Sequence, residues 1–100
     1  MANKNSRNNK FLFDNRDSVS PKIYSLMIKL VNDDREDLAK EVRKVDYLLE
    51  YASSCVRSKD YIQARETLNT AKDRISYLDK EGVDIEYIQY LYNGIVKKVK

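Results

Sequence analysis

The residue types that most often perform catalysis are scarce in this chain of 100 residues. It contains no histidine, so the commonest general base and transition-metal ligand is missing. The single cysteine, Cys55, has no histidine partner and lies beside an apolar stripe, where we expect a small core residue. Two glycines are too few for a phosphate-binding loop. The sequence therefore predicts no catalytic residue, no cofactor and no enzymatic activity.

One cluster of acidic residues is a candidate cation site. Its members lie within one short segment and are Asp33, Asp34, Glu36, Asp37 and Glu41. Steps of four place Asp33, Asp37 and Glu41 on one helical face. Asp33 and Glu36 have capping-box spacing, and acids stabilise a helix amino terminus. Because coordination would be incomplete without acids from a second segment, we predict a helix start here and no metal site.

Basic residues are concentrated at the two ends of the chain, whose net charge is +3. Residues 1–22 contain five Lys or Arg against two Asp, and residues 97–100 contain three Lys. The polar, Asn-rich composition of residues 1–17 predicts a flexible basic arm, followed by a single helical domain over residues 18–100. Within that arm, the apolar residues 11–13 either pack onto the domain or form a docking motif.

The cysteine content and the hydropathy favour a cytoplasmic protein. One cysteine excludes an internal disulfide and fits a reducing compartment. No apolar run approaches the roughly 20 residues of a membrane span, and the first residues lack the apolar core of a signal peptide. We therefore expect no membrane association. The abundance of Lys, Asn, Asp, Ile and Tyr is typical of an AT-rich genome, such as that of a low-GC bacterium or its phage.

Apolar periodicity predicts an all-α fold. With two glycines and one proline, the chain has too little turn chemistry for a β-sandwich or barrel. Apolar residues recur instead at helical spacing, which predicts a small antiparallel bundle of three to four helices. These helices are expected at about residues 21–31, 34–57, 60–80 and 84–98. Ser20 is expected to cap the first of them, which starts at Pro21. Gly82 is expected to end the third in a left-handed turn.

Two heptad-spaced seams predict a long central hairpin. The first seam comprises Leu38, Val42, Val45, Leu49, Ala52 and Val56. The second comprises Tyr61, Ala64, Leu68, Ala71, Ile75 and Leu78. Because only residues 58–60 join the two helices, they must fold back antiparallel.

Part of this hairpin follows a known helix-pair pattern. The residues that carry it are Leu48, Ala52, Tyr61, Ala64, Leu68 and Ala71. Residues 45–78 thus resemble a single tetratricopeptide-like repeat, although Tyr51, Cys55 and Ser76 depart from the usual residue types. No second repeat follows at the expected period, and about three are needed for a groove. The resemblance implies a closely packed helix pair and no peptide-binding groove.

Tyrosines in excess of the seams suggest a binding surface. Tyr47 and Tyr51 each follow a seam residue by two positions, which turns them about 200° away from the hairpin seam. The candidate partner-binding residues share such off-seam positions: Lys40, Lys44, Tyr47, Tyr51, Tyr87 and Tyr90. Packing of the first or the fourth helix against these residues is the structural alternative.

Three functions agree with this pattern. The leading hypothesis is a non-catalytic helical module that binds another protein as a regulator, adaptor or inhibitor. The first alternative is a small nucleic-acid-associated protein that uses its basic termini and exposed tyrosines, with weak and salt-sensitive binding. The second is self-assembly, for example as a homodimer, because a short chain gains from burying a second apolar face.

Overall fold

Helices make up the architecture of the computed structural model, which describes residues 9–99. The five helices are α1 (Lys10–Asn15), α2 (Pro21–Asn32), α3 (Glu36–Arg57), α4 (Tyr61–Lys80) and α5 (Glu86–Val96). No strand occurs in the described residues. The predicted all-α bundle is confirmed, with one helix more than the expected three to four. The first eight residues of the predicted arm and Lys100 lie outside the described part of the chain.

Helix α1 lies before the domain boundary predicted at residue 18. The Asn9 side chain caps this helix by accepting a hydrogen bond from the Leu12 backbone N–H at 2.9 Å. Leu12 is fully buried, and the Tyr24 hydroxyl of α2 donates to the Leu12 carbonyl oxygen at 3.1 Å. Residues 9–15 therefore belong to the bundle and not to a flexible arm. Packing onto the domain was one of the two alternatives stated for residues 11–13. The helix itself was not predicted, because six residues are too few to form a stable helix without tertiary packing.

The hairpin of α3 and α4 forms the centre of the molecule, as predicted. Both seams face inward, and every seam residue is buried except Val56 and Tyr61 at the hairpin tip, which are half-buried. Near the opposite end, Arg74 of α4 donates to the Glu41 carboxylate of α3 at 2.7 Å. The seam positions where small side chains let the two helices approach closely are fully buried: Ala52, Ala64 and Ala71.

Three helices end in the same left-handed turn. Gly82 adopts it after α4, as predicted, with φ of 84°. Asp34 after α2 and Lys59 after α3 adopt it with φ of 62°. Beyond α3, the Asp60 N–H donates to the Cys55 carbonyl at 2.8 Å, which is the long hydrogen bond of a Schellman motif. The turns at Asp34 and Lys59 were not predicted, because side chains with a Cβ avoid this conformation unless the chain on both sides fixes it.

Capping residues were predicted for the starts of α2 and α3, and only the prediction for α2 is confirmed. Ser20 caps α2 as predicted, since its hydroxyl accepts a hydrogen bond from the Ile23 N–H at 3.3 Å. The capping box proposed for Asp33 and Glu36 is wrong. Helix α3 begins at Glu36 after Arg35, whose side chain makes no cap hydrogen bond. The reason is that Asp33 is the C-cap residue of α2 and is not available to cap the next helix.

Helices α2 and α5 pack on the hairpin from one side. Helix α2 packs along α3, and α5 contacts α2 and both hairpin helices. The shortest dimension of the molecule, 17 Å, accommodates two layers of helices. The hairpin is therefore covered on one face by α2 and α5, and no other part of residues 9–99 covers its other face.

Gly94 in α5 makes no close contact with another helix. A glycine is tolerated there because the position lies near the end of the helix. A Cβ added there would meet nothing within 4 Å. We expect Gly94→Ala to raise the free energy of unfolding by about 0.5–1 kcal/mol, because alanine has the higher helix propensity. The control is Gly82→Ala, which also has open space around it but requires a positive φ and should destabilise. Chemical denaturation measures both variants, and a change of the same sign in both would contradict this explanation.

Candidate functional site

The open face of the hairpin carries exposed aromatic side chains. Tyr47 and Tyr51 of α3 are 58% and 44% exposed, and Tyr77 of α4 is 46% exposed. Tyr47 and Tyr51 occupy the off-seam positions noted in the sequence, and neither α2 nor α5 covers them. The structural alternative, in which another helix of the same chain packs on these rings, does not occur in the described residues.

Two shallow grooves run along this face between α3 and α4. The first, of about 350 Å³, is lined by Tyr47, Leu48, Tyr51, Gln63, Glu66, Thr67 and Thr70. The second, of about 510 Å³, is lined by Glu41, Thr70, Asp73, Arg74 and Tyr77. Thr70 lines both, so the two grooves are continuous. We define the open face by its exposed residues Lys44, Tyr47, Tyr51, Glu66, Thr70, Asp73 and Tyr77.

The two predicted lysines have different surroundings. Lys40 lies beside α1, where its ammonium group is 3.3 Å from the Glu36 carboxylate and 5.9 Å from the centroid of the Phe11 ring. Lys44, one turn further along α3, is exposed and forms no ion pair with any residue from 9 to 99. Lys44 is therefore the cation of the open face, and Lys40 belongs to the contact between α1 and α3.

The Tyr51 phenol stays protonated at neutral pH. Its pKa is raised above the ordinary value, first by the charge and hydrogen bonding of the neighbouring Cys55 sulfur, then by desolvation, and further by Asp60 and Tyr47. Cys55 itself is buried and free, in agreement with the predicted core position. Tyr51 therefore presents a neutral hydroxyl that can donate a hydrogen bond to a partner.

Tyr87 and Tyr90 lie on a separate surface formed by α5. Their rings are stacked, with centroids 6.3 Å apart, and the Lys22 ammonium group of α2 lies 5.0 Å from the Tyr87 centroid. Tyr87 is half-buried by this contact, while Tyr90 is 72% exposed. The structure therefore does not bring the six predicted residues into one site. It groups Lys44, Tyr47 and Tyr51, and it places Tyr87 and Tyr90 elsewhere.

Tyr77 was missed in the sequence although a signal for it was present. It follows the seam residue Ile75 by two positions, which is the relation that singled out Tyr47 and Tyr51. Applying that rule to both hairpin helices would have found Tyr77. What the rule could not give is that these three tyrosines share one face, because this depends on the rotation of α4 relative to α3.

A buried carboxylate lies between α3 and α5, outside the open face. Asp46 is 7% exposed, and its Oδ2 atom has no hydrogen-bond partner among the described residues. Burial, together with the nearby charge of Glu50, raises the pKa of Asp46 to about 6, although the charge of Arg43 acts in the opposite direction. Asp46 lines a groove of about 570 Å³ together with Glu50 and Tyr90. Lys97 and Lys98 also line the groove, so its two carboxylates lie in a lining of mixed charge.

Carboxylates of the acidic cluster at the start of α3 form ion pairs with basic side chains of the protein. Asp37 forms two hydrogen bonds of 3.0 Å with Arg35, which hold the pKa of this carboxyl below its ordinary value. Asp33 contacts Lys29 at 3.2 Å. Glu41 contacts Arg74 across the hairpin. Within residues 9–99, no group of three or more candidate ligand side chains is placed to hold a metal ion.

Comparisons with other proteins do not assign the chain to a family. No protein-family model, no curated protein and no solved structure matches it. Across residues 9–99, no helix combines the length and the apolar character that crossing a membrane requires.

Proposed function

We propose that this protein is a non-catalytic helical module that binds another protein through the open face and acts as a regulator, adaptor or inhibitor. The observation that carries the proposal is the presence of three exposed tyrosines, Tyr47, Tyr51 and Tyr77, on one uncovered face. Tyrosine supplies a large apolar ring with a polar tip, and it is enriched where proteins bind each other. The open grooves suit a protein surface better than an enclosed small molecule.

The charges of the open face favour a protein partner over nucleic acid. Lys44 is accompanied by Glu66 and Asp73 on the same face, and both acids are exposed. A nucleic-acid interface needs a predominantly positive surface to attract the phosphates, and carboxylates beside the tyrosines would repel them. A partner protein can match charges of both signs. We place this interaction in the cytoplasm, since a lone free cysteine fits a reducing compartment.

The test of the proposal is a comparison of captured proteins. Tyr47→Ser with Tyr51→Ser removes two of the exposed rings, and we expect at least a tenfold loss of the partner, because interface tyrosines often contribute most of the binding energy. Tagged wild-type protein and the double variant would be purified from the native cell, and co-purifying proteins would be quantified by mass spectrometry. Any candidate would then be reconstituted from purified components and its Kd measured.

The matched control is Tyr90→Ser, which removes the most exposed tyrosine from the α5 surface and leaves the open face intact. It should retain the partner. Circular dichroism and thermal unfolding should show native helical content in all variants, since the substituted rings are exposed. If the double variant folds and captures the same proteins in the same amounts, the open face is not the binding surface.

A further inference from the structure

We infer that the open face pairs with the open face of a second copy of this chain, in a face-to-face dimer whose twofold axis is parallel to the hairpin. The inference rests on the proposed function, because it makes a second copy of this chain an occupant of the same surface, in competition with any other partner protein. Three features support this dimer: the distribution of charge on the two hairpin helices, the positions of these charges along the hairpin axis, and the area of the open face.

The two edges of the open face carry opposite charges. The α3 edge presents Lys44, and the α4 edge presents Glu66 and Asp73. None of these three side chains forms an ion pair within residues 9–99. By contrast, Glu41 and Arg74, which lie between the two edges, are paired with each other at 2.7 Å. Among the residues that define the open face, the charges left without a partner are therefore of one sign on α3 and of the other sign on α4.

A twofold axis parallel to the hairpin brings the basic edge of one copy opposite the acidic edge of the other. Such an axis lays α3 of one copy over α4 of the other and leaves every residue at its own level along the hairpin. The contact between Glu41 and Arg74 defines a common level. Lys44 lies three residues beyond it on α3, and Asp73 lies one residue beyond it on α4. With a rise of 1.5 Å per residue, Lys44 and Asp73 of the second copy come to levels about 3 Å apart.

The perpendicular arrangement does not give this match. An axis across the hairpin would lay α3 over α3 of the second copy, and the exposed charge on that edge of the open face is basic in both copies. Like charges would then approach each other, which is unfavourable. Twofold symmetry repeats every contact of the interface. With the parallel axis, the dimer therefore contains two equivalent pairs of Lys44 with Asp73.

The face is large enough and apolar enough for a dimer. A hairpin of 20-residue helices is about 30 Å long, and its two helices side by side are about 20 Å wide. The open face therefore has an area of about 600 Å² per copy. The total of about 1,200 Å² reaches the range of specific interfaces. The dimer would cover the three tyrosines. It would also cover Ile62, which is 69% exposed and lies one turn before Glu66 on the same edge of α4.

Charge reversal tests this arrangement with the full chain. Sedimentation equilibrium from low to high micromolar concentration should give wild-type protein about twice the monomer mass of 11.8 kDa. We expect Lys44→Glu and Asp73→Lys each to weaken the dimer at least tenfold, since each places like charges at both equivalent contacts. The double variant Lys44→Glu with Asp73→Lys should return to within about threefold of the wild-type Kd, because the two charges are exchanged and not lost.

Lys72→Glu is the matched control. It makes the same charge change at an exposed α4 position that lines the groove beside α5, and it should leave the dimer intact. A wild-type monomer at several hundred micromolar, or single variants that dimerise as the wild type does, would overturn the inference. So would a double variant as weak as the single ones.

Failure of this inference can be told apart from failure of the proposed function. If the wild type is a monomer but the Tyr47 and Tyr51 variant loses its captured partner, the dimer is wrong and the proposed function stands. If the dimer forms and responds to charge reversal but the captured proteins do not depend on these tyrosines, the open face serves self-association only.

Discussion

Replacing Leu12 by alanine is expected to lower the free energy of unfolding by about 2–5 kcal/mol, the usual cost of truncating a buried leucine. Leu12 is fully buried, although it lies on a helix of only six residues. Its removal leaves a cavity between α1 and the core, and it also takes away the main apolar anchor of α1. For a domain of about 100 residues, each kcal/mol lowers the melting temperature by roughly 4–8 °C, so the shift should be large.

The neighbouring residue provides the control for this prediction. Phe13 is the larger side chain but is 64% exposed, and its ring contacts the Arg16 guanidinium 4.9 Å away. Phe13→Ala should therefore change the free energy of unfolding by no more than about 0.5 kcal/mol. Thermal and urea unfolding followed by circular dichroism measure both variants. Equal, small effects of Leu12→Ala and Phe13→Ala would mean that α1 is not part of the folded core.

Replacing Asp46 by asparagine is expected to stabilise the protein at pH 7. The ionised carboxylate is buried with one oxygen unpaired, which raises its pKa from the ordinary 3.8 to about 6. Each unit of this difference corresponds to about 1.4 kcal/mol, so the ionised form costs up to about 3 kcal/mol, and we expect a gain of about 1–3 kcal/mol. Asparagine has the same shape as the protonated acid and carries no charge.

The stabilisation by Asp46→Asn is expected to depend on pH. Between about pH 4 and pH 6 the folded protein holds a proton on Asp46 that the unfolded chain has released, so wild-type stability falls as the pH rises through this window. The difference between Asp46→Asn and wild type should therefore be largest at pH 7 and vanish below about pH 4. Urea unfolding at several pH values measures it. Asp17→Asn is the control, since it makes the same change at a carboxylate that is 91% exposed and should have a much smaller effect. A stability difference that does not change with pH would contradict the assignment to Asp46.

The hairpin could be predicted because its information is local and repeated. A seam of apolar residues at heptad spacing specifies which side of each helix is buried, and the three residues 58–60 leave no other way for α3 and α4 to pair. Ser20 before Pro21 specifies a helix start in the same local way. The off-seam positions of Tyr47 and Tyr51 follow from the same periodicity, since a residue two places after a seam position must point away from it.

Other features were decided by contacts between distant parts of the chain. Helix α1 is too short to be stable alone and exists because Leu12 is buried and Tyr24 of α2 holds its backbone. The left-handed turns at Asp34 and Lys59 are unfavourable for their residue types, so only the packing of the helices on both sides can impose them. The capping box at Asp33 does not form because this residue is the C-cap of the preceding helix.

The sequence by itself thus determined that the chain is helical, that α3 and α4 form its central hairpin, and which side chains point away from the hairpin seam. Only the tertiary structure decided that α2 and α5 both cover the same face of that hairpin. It follows that Tyr47, Tyr51 and Tyr77 remain exposed together, while Tyr87 packs beside Lys22. The physical reason is that periodicity fixes the orientation of a side chain about its own helix, whereas a shared surface depends on how separate helices are rotated and docked.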